Sequence, residues 1–206
     1  MTLPREDVET GLIYELGQFE ILLRTLTPQQ WEIPSRCEGW TLGDIARHNV
    51  GSIADVATGR LDGLGTPEVT AREVAERAGH TIEQLADECA EVTKAAAGLL
   101  AMLDDAAWDA PAGGSYDGSL GNGVEALWFD AWMHADDIRS ALGIASVVGP
   151  GLRGALSHVE PFLRGLDWNG PIPNEADAGA FEFVMVATGR ARASTGAVNS
   201  PVNIYA

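Results

Sequence analysis

Apolar residues recur at intervals of three and four along most of this chain, the period of a helix that buries one face. Val8, Leu12, Leu16, Phe19, Leu22, Leu23 and Leu26 predict a first helix from Pro4 to about Leu26. Pro4 suits its first turn, and Glu6 and Asp7 suit its positive end. Leu42, Ile45, Ala46, Val50, Ile53, Ala54 and Ala57 form a second stripe, to about Gly59. Ahead of it, Thr41-Leu42-Gly43-Asp44 fits a capping box, a hydroxyl for one orphan N–H and a carboxylate reaching back to another. A third long helix is expected from Thr81, with Gln84 as its box partner, to about Leu103. The fourth is expected from about Gly123 to Leu142, through Val124, Leu127, Trp128, Ala131, Ala135 and Ile138.

Weaker patterns predict a short helix over Ala71 to Ala78 and further helices over about Gly151 to Leu166 and Ala176 to Gly189. Thr27 to Trp40, Gly59 to Thr70 and Asp104 to Asn122 are rich in Gly, Pro and polar residues and read as connections. The tail from Ala191 to Ala206 reads as irregular. No stretch alternates with a period of two for long enough to build a sheet. The expectation is an all-α protein: an up-and-down four-helix bundle over 1–145, with a short helical extension over 146–206 packed on it.

Composition narrows the function. With 46% hydrophobic and 21% charged residues, the chain is globular rather than disordered. Its net charge of −17 repels phosphate backbones and anionic lipid, so neither nucleic acid nor a membrane surface is an expected partner. Cys37 and Cys89 form no CxxC pair, and no apolar run reaches transmembrane length, so a reduced, cytoplasmic setting is expected. A leftover apolar face in the C-terminal region leaves room for a homodimer.

The candidate chemistry lies in the fourth helix. Asp130 and His134 stand one turn apart and Asp137 follows three residues later, all along one side of the helix at the edge of its apolar stripe. That spacing can offer an imidazole and a carboxylate to one divalent cation, with Asp137 orienting the ring. His48 sits at the edge of the second helix's stripe and can point inward at the same depth. Two histidines and one carboxylate leave coordination positions open, as catalytic sites do. Such ligands suit zinc, nickel, iron or manganese. The plainer alternative is a set of half-buried histidines that merely pack. His80 is expected to be solvated, and His158, with no ligand partner one turn away, to lie at the surface. Cys37 reads as a packed or merely exposed thiol, since no histidine is expected to accompany it. Cys89 lies on the core stripe. The Gly-rich run from Gly113 to Gly123 lacks a phosphate-loop lysine and reads as a loop able to close over a site on the fourth helix.

Two stretches carry a family resemblance. Trp31-x-x-Pro34-Ser35-x-Cys37-x-Gly39-Trp40-Thr41-Leu42-x-Asp44-Ile45-x-x-His48 resembles the N-terminal signature of the mycothiol-dependent maleylpyruvate isomerase family, a branch of the DinB/YfiT-like metalloproteins. Asp130-Ala131-Trp132-Met133-His134-x-x-Asp137-Ile138-Arg139-x-Ala141-Leu142-Gly143 is similar to its second signature, and Thr188-Gly189-Arg190 and Asn203-Ile204-Tyr205 to its C-terminal segments. The resemblance implies a DinB-like bundle holding a divalent metal, most often zinc, through His48, Asp130 and His134. Asp130 stands where that isomerase has glutamate. The activity so implied is a metal-dependent transferase or isomerase that uses mycothiol or another low-molecular-weight thiol on a small electrophile. Arg139 is then a candidate to hold an acidic substrate group, with an ion pair as its simpler role. The competing reading is a bundle that binds a metal or small ligand without turnover.

Overall fold

The computed structural model describes residues 3–113, 116–192 and 200–205, and the described residues form helices joined by loops, without a named strand. Four helices are long: α1 (Arg5–Thr25), α3 (Leu42–Ala57), α5 (Ile82–Leu100) and α7 (Leu120–Ala141). Each connection between them carries a shorter helix: α2 (Pro28–Trp31), α4 (Pro67–Glu76) and α6 (Asp105–Asp109). Then come α8 (Gly151–Gly165) and α9 (Ala180–Ala187). α1 packs on α5 and α7, and α3 packs on the same two, so α1 and α3 lie across a diagonal of a four-helix bundle. α8 packs on α7 and α9 on α8.

Local chemistry sets the helix starts. Thr41 with Asp44 and Thr81 with Gln84 make reciprocal capping boxes at α3 and α5. Two more boxes lie inside segments expected to be loops. Thr27 with Gln30 starts α2, and Ser119 with Asn122 starts α7 three residues ahead of the expected position. Thr66 caps α4, which begins at Pro67 rather than near Ala71 because proline is suited to a first turn. Half of the tail, residues 193–199 and 206, lies outside the described residues.

α7 is the organising rod. One face, with Val124, Trp128, Ala131, Ala135 and Ile138, completes the bundle core against α1, α3 and α5. A second face, with Phe129, Trp132 and Met133, packs against Leu152, Val159 and Leu163 of α8 and Val184 of α9. A helix buried on two sides reads as apolar nearly all round. Trp128 is wedged so closely against α1 that a Cβ at Gly11 would lie 2.3 Å from its ring. No helix among the described residues is long and apolar enough to cross a membrane.

Candidate metal centre

α3 contributes His48 and α7 contributes Asp130 and His134. The structure brings these three together, with one ligand atom of each within 4.8 Å of the others. His48 Nε2 lies 3.4 Å from Asp130 Oδ2, and His134 Nε2 lies 3.4 Å from Asp130 Oδ1. The two imidazole rings meet edge to face, with centroids 5.2 Å apart. Trp40, from the α2–α3 connection, closes over both, 5.2 Å from the ring of His48 and 6.3 Å from that of His134.

The other nitrogen of each ring is occupied. His48 Nδ1 lies 2.7 Å from Glu73 Oε2, and His134 Nδ1 lies 2.8 Å from Asp137 Oδ2. A carboxylate accepts from an N–H, so each ring carries a proton on Nδ1 and faces Asp130 with Nε2, whose lone pair a bound cation would take. Asp137 thus stands where the helical spacing puts an orienting group. Glu73, only 1% exposed, comes from α4 and had no sequence signal, because nothing in the spacing of a separate short helix points to His48.

Asp137 is the hub of a second layer. The Arg190 guanidinium donates through Nε to Oδ1 and through Nη2 to Oδ2, each at 2.8 Å. Arg36 Nε donates to Oδ1 at 2.5 Å, and its Nη2 reaches Asp136 at 2.6 Å. Cys37 Sγ sits 3.3 Å from Oδ2 of the same carboxylate. A histidine therefore does accompany Cys37, in space rather than in sequence, since Sγ, His134 and Asp137 are mutually within 4.8 Å. Arg190 reaches Asp137 because Gly189, at φ +71°, adopts a left-handed turn beyond α9.

Burial works against charge on all these groups, and the pairing outweighs it. Asp130 and Glu73 hold the His48 pKa above its ordinary value. Asp130 with Asp137 holds that of His134 well above it. The two histidines hold Asp130 well below the usual carboxylate range, and Arg190 with His134 does the same for Asp137.

The donor set fits a divalent ion. The 3.4 Å spacings exceed an N–H···O hydrogen bond. They match the edge of about 3.4 Å that separates two ligands bonded at 2.0–2.2 Å in a tetrahedral site. Asp130 is one-third exposed, and its open side faces a cavity of about 290 Å³. Ala112, Gly113 and Tyr116, from the loop before α7, line that cavity with Tyr205 from the tail. The Gly-rich loop is therefore part of the wall, although residues 114–115 of it lie outside the described residues.

Three other expectations meet a different outcome. His158 is not at the surface: it is 8% exposed, lines the cavity and stacks on Phe129 with ring centroids 4.2 Å apart. Its partner is a packed helix face rather than a residue one turn away, which sequence spacing does not show. His80 is 40% exposed and lies 3.3 Å from Glu88, so it is only partly solvated. Arg139 is buried in the bundle, where its charge acts on Glu15 of α1, and it does not line the cavity. Its position lends no support to a substrate-holding role. Cys89 is packed as expected, and burial pushes its thiol up to about 12.

A family model described as the mycothiol maleylpyruvate isomerase N-terminal domain matches residues 15–139. No curated protein matches the chain. Among solved structures, a crystal structure of the mycothiol-dependent maleylpyruvate isomerase is similar at a TM-score of 0.71 and 17% identity, over 98% of this chain and 100% of that one. A mutant of that enzyme is similar at a TM-score of 0.65 and 17% identity, with the same coverage. At that identity the likeness is one of fold.

Proposed function

This chain belongs to the mycothiol maleylpyruvate isomerase N-terminal domain family, and on that premise we propose that it is a divalent-metal-dependent enzyme that joins a low-molecular-weight thiol to a small electrophile. The observation that carries this reading is the pair of Nε2 atoms 3.4 Å from Asp130, each on a ring whose Nδ1 is already held by a carboxylate.

His48, Asp130 and His134 would hold the ion. Two nitrogens and an oxygen suit zinc best, with nickel, iron and manganese as other occupants. When bound, the ion supplies Lewis acidity that favours the thiolate of a coordinated thiol, mycothiol above all, at neutral pH. Glu73 and Asp137 fix the tautomer and direction of the two rings. Arg36 and Arg190 balance the charge of Asp137 and Asp136, and Trp40 keeps water from the ring faces. The apolar cavity beside Asp130 takes the electrophile. Addition of the thiol across a carbon–carbon double bond breaks its π bond and the S–H bond, forms an S–C bond and places the proton on the neighbouring carbon. Stopping there makes a transferase. Rotation followed by loss of the thiol restores the double bond as its other isomer and makes an isomerase.

With both cysteines free, the chain suits a reducing cytoplasm, where small thiols stay reduced. A binding protein without turnover would hold the metal equally well, and the cavity next to the ligands favours the enzyme. The test is product formation by zinc-loaded protein with mycothiol and a small electrophile. The thiol-dependent rate is expected to vanish in His134→Ala. Equal rates in the two proteins would overturn the reading.

A further inference from the structure

The cavity wall says which electrophile belongs there. Among the described residues that line it, Asp130 is the one acidic side chain, and the broad surfaces come from Val56, Leu61, Leu64, Val124, Leu127 and Phe129. No arginine or lysine lines it. The stretches outside the described residues contain neither. The cations nearest the histidines are engaged: Arg36 binds Asp136 and Asp137, and Arg190 binds Asp137. Those four groups cancel, and Glu73 with Asp130 would balance a divalent ion, so the centre is neutral once loaded. A substrate carboxylate placed against this wall would be desolvated with no counter-charge, in a chain of net charge −17.

One polar group in the wall has no task. The His158 ring, on α8, is clamped between Phe129 at 4.2 Å and Phe162 at 5.1 Å. Its nitrogens have no hydrogen-bond partner among the described residues, although the residue is only 8% exposed. Burial pushes its pKa down to about 4. At neutral pH it is therefore an uncharged imidazole with one N–H to donate. That N–H is left for an acceptor on a molecule that enters the cavity it lines.

Building on the thiol-dependent reading above, we propose that the cavity selects an uncharged, mainly apolar electrophile bearing a carbonyl. His158 is the specificity-determining residue that donates its ring N–H to that carbonyl. A carbonyl conjugated to the attacked carbon is the arrangement that makes such a carbon accept a thiol. Dicarboxylates are excluded by the wall. The volume of about 290 Å³ sits at the small end of ligand cavities, in keeping with a compact molecule.

The test separates binding from chemistry. Dimethyl succinate and succinate are a neutral and a dianionic probe of similar size, and neither can alkylate Cys37. Titrated into the zinc-loaded protein without thiol and followed by NMR, the diester is expected to bind at least about tenfold more tightly than the dianion. His158→Phe keeps the stacking and removes the donor, so it should weaken diester binding about tenfold, the worth of one hydrogen bond. His158→Gln, which restores an N–H, should recover most of that loss. Zinc content and melting temperature matched to wild type show that the variants are folded, and the two-probe comparison in wild type decides even if they are not. Succinate binding as tightly as its diester, or His158→Phe leaving the diester unaffected, overturns the inference. Diester preference without thiol-dependent turnover of dimethyl maleate leaves the cavity inference standing and removes the catalytic one. Preferential thiol-dependent turnover of maleate does the reverse.

Discussion

Three buried histidines stand on α3, α7 and α8, and they sit in opposite surroundings. His48 and His134 each lean on a carboxylate through Nδ1 and share Asp130 through Nε2, so charge is favoured there. His158 is held by aromatic rings and is kept neutral. The residue type is the same and the burial is similar, at 9%, 8% and 8% exposure. What differs is whether carboxylates or rings surround the imidazole. Carboxylates make a cation site, and rings make a neutral hydrogen-bonding arm in an apolar wall.

The sharpest way to break that contrast is to remove a ligand. His48→Ala or His134→Ala should leave less than about one-tenth of an equivalent of zinc after loading, by elemental analysis, since two donors no longer make a closed grip. His158→Phe should keep a full equivalent. If all three variants retain metal, the division between the two regions is wrong.

The next effect is smaller. Glu73→Gln keeps an acceptor for His48 Nδ1 but loses the charge that strengthens the ring as a ligand. Zinc affinity is expected to fall about 10–100-fold in a chelator competition. Asp137→Asn should cost as much and also lower the melting temperature, because Arg36 and Arg190 lose their shared partner.

pH probes the neutral histidine. Its folded pKa of about 4 lies below the ordinary 6.5, so the folded state binds fewer protons between those values. Its contribution to stability is complete above about pH 6.5 and is lost as the pH falls through 4. The shift corresponds to about 3 kcal/mol, visible as a steeper acid loss of stability in wild type than in His158→Phe. Parallel denaturation curves from pH 7 to 4 would remove His158 from the neutral class.

Gly11→Ala supplies the mildest perturbation and the control. It pushes a Cβ against Trp128 and should cost about 1–3 kcal/mol by denaturant unfolding. Zinc content should stay unchanged. A loss of metal would mean that the packing of α7 against α1 helps to aim Asp130 and His134.

These contrasts also divide what could be read along the chain from what could not. The long helices follow from periodicity and capping boxes, because a helix's face and start depend on residues within a few positions of each other. For the same reason Asp130, His134 and Asp137 were legible as one group, and His48 as an inward-facing edge residue. The matched family region, residues 15–139, contains all four. Glu73, Arg36, Arg190 and His158 were not legible in that way. Each acts on a partner from another element, through side chains that meet only after α4, α8 and the turn beyond α9 have docked. Spacing along a helix reports neighbours one turn away and nothing beyond. The amino-acid order alone therefore determined the rods and the candidate ligands they carry. Tertiary packing decided what holds those ligands and what kind of molecule the space beside them admits, because burial and pairing belong to surfaces brought together from distant parts of the chain.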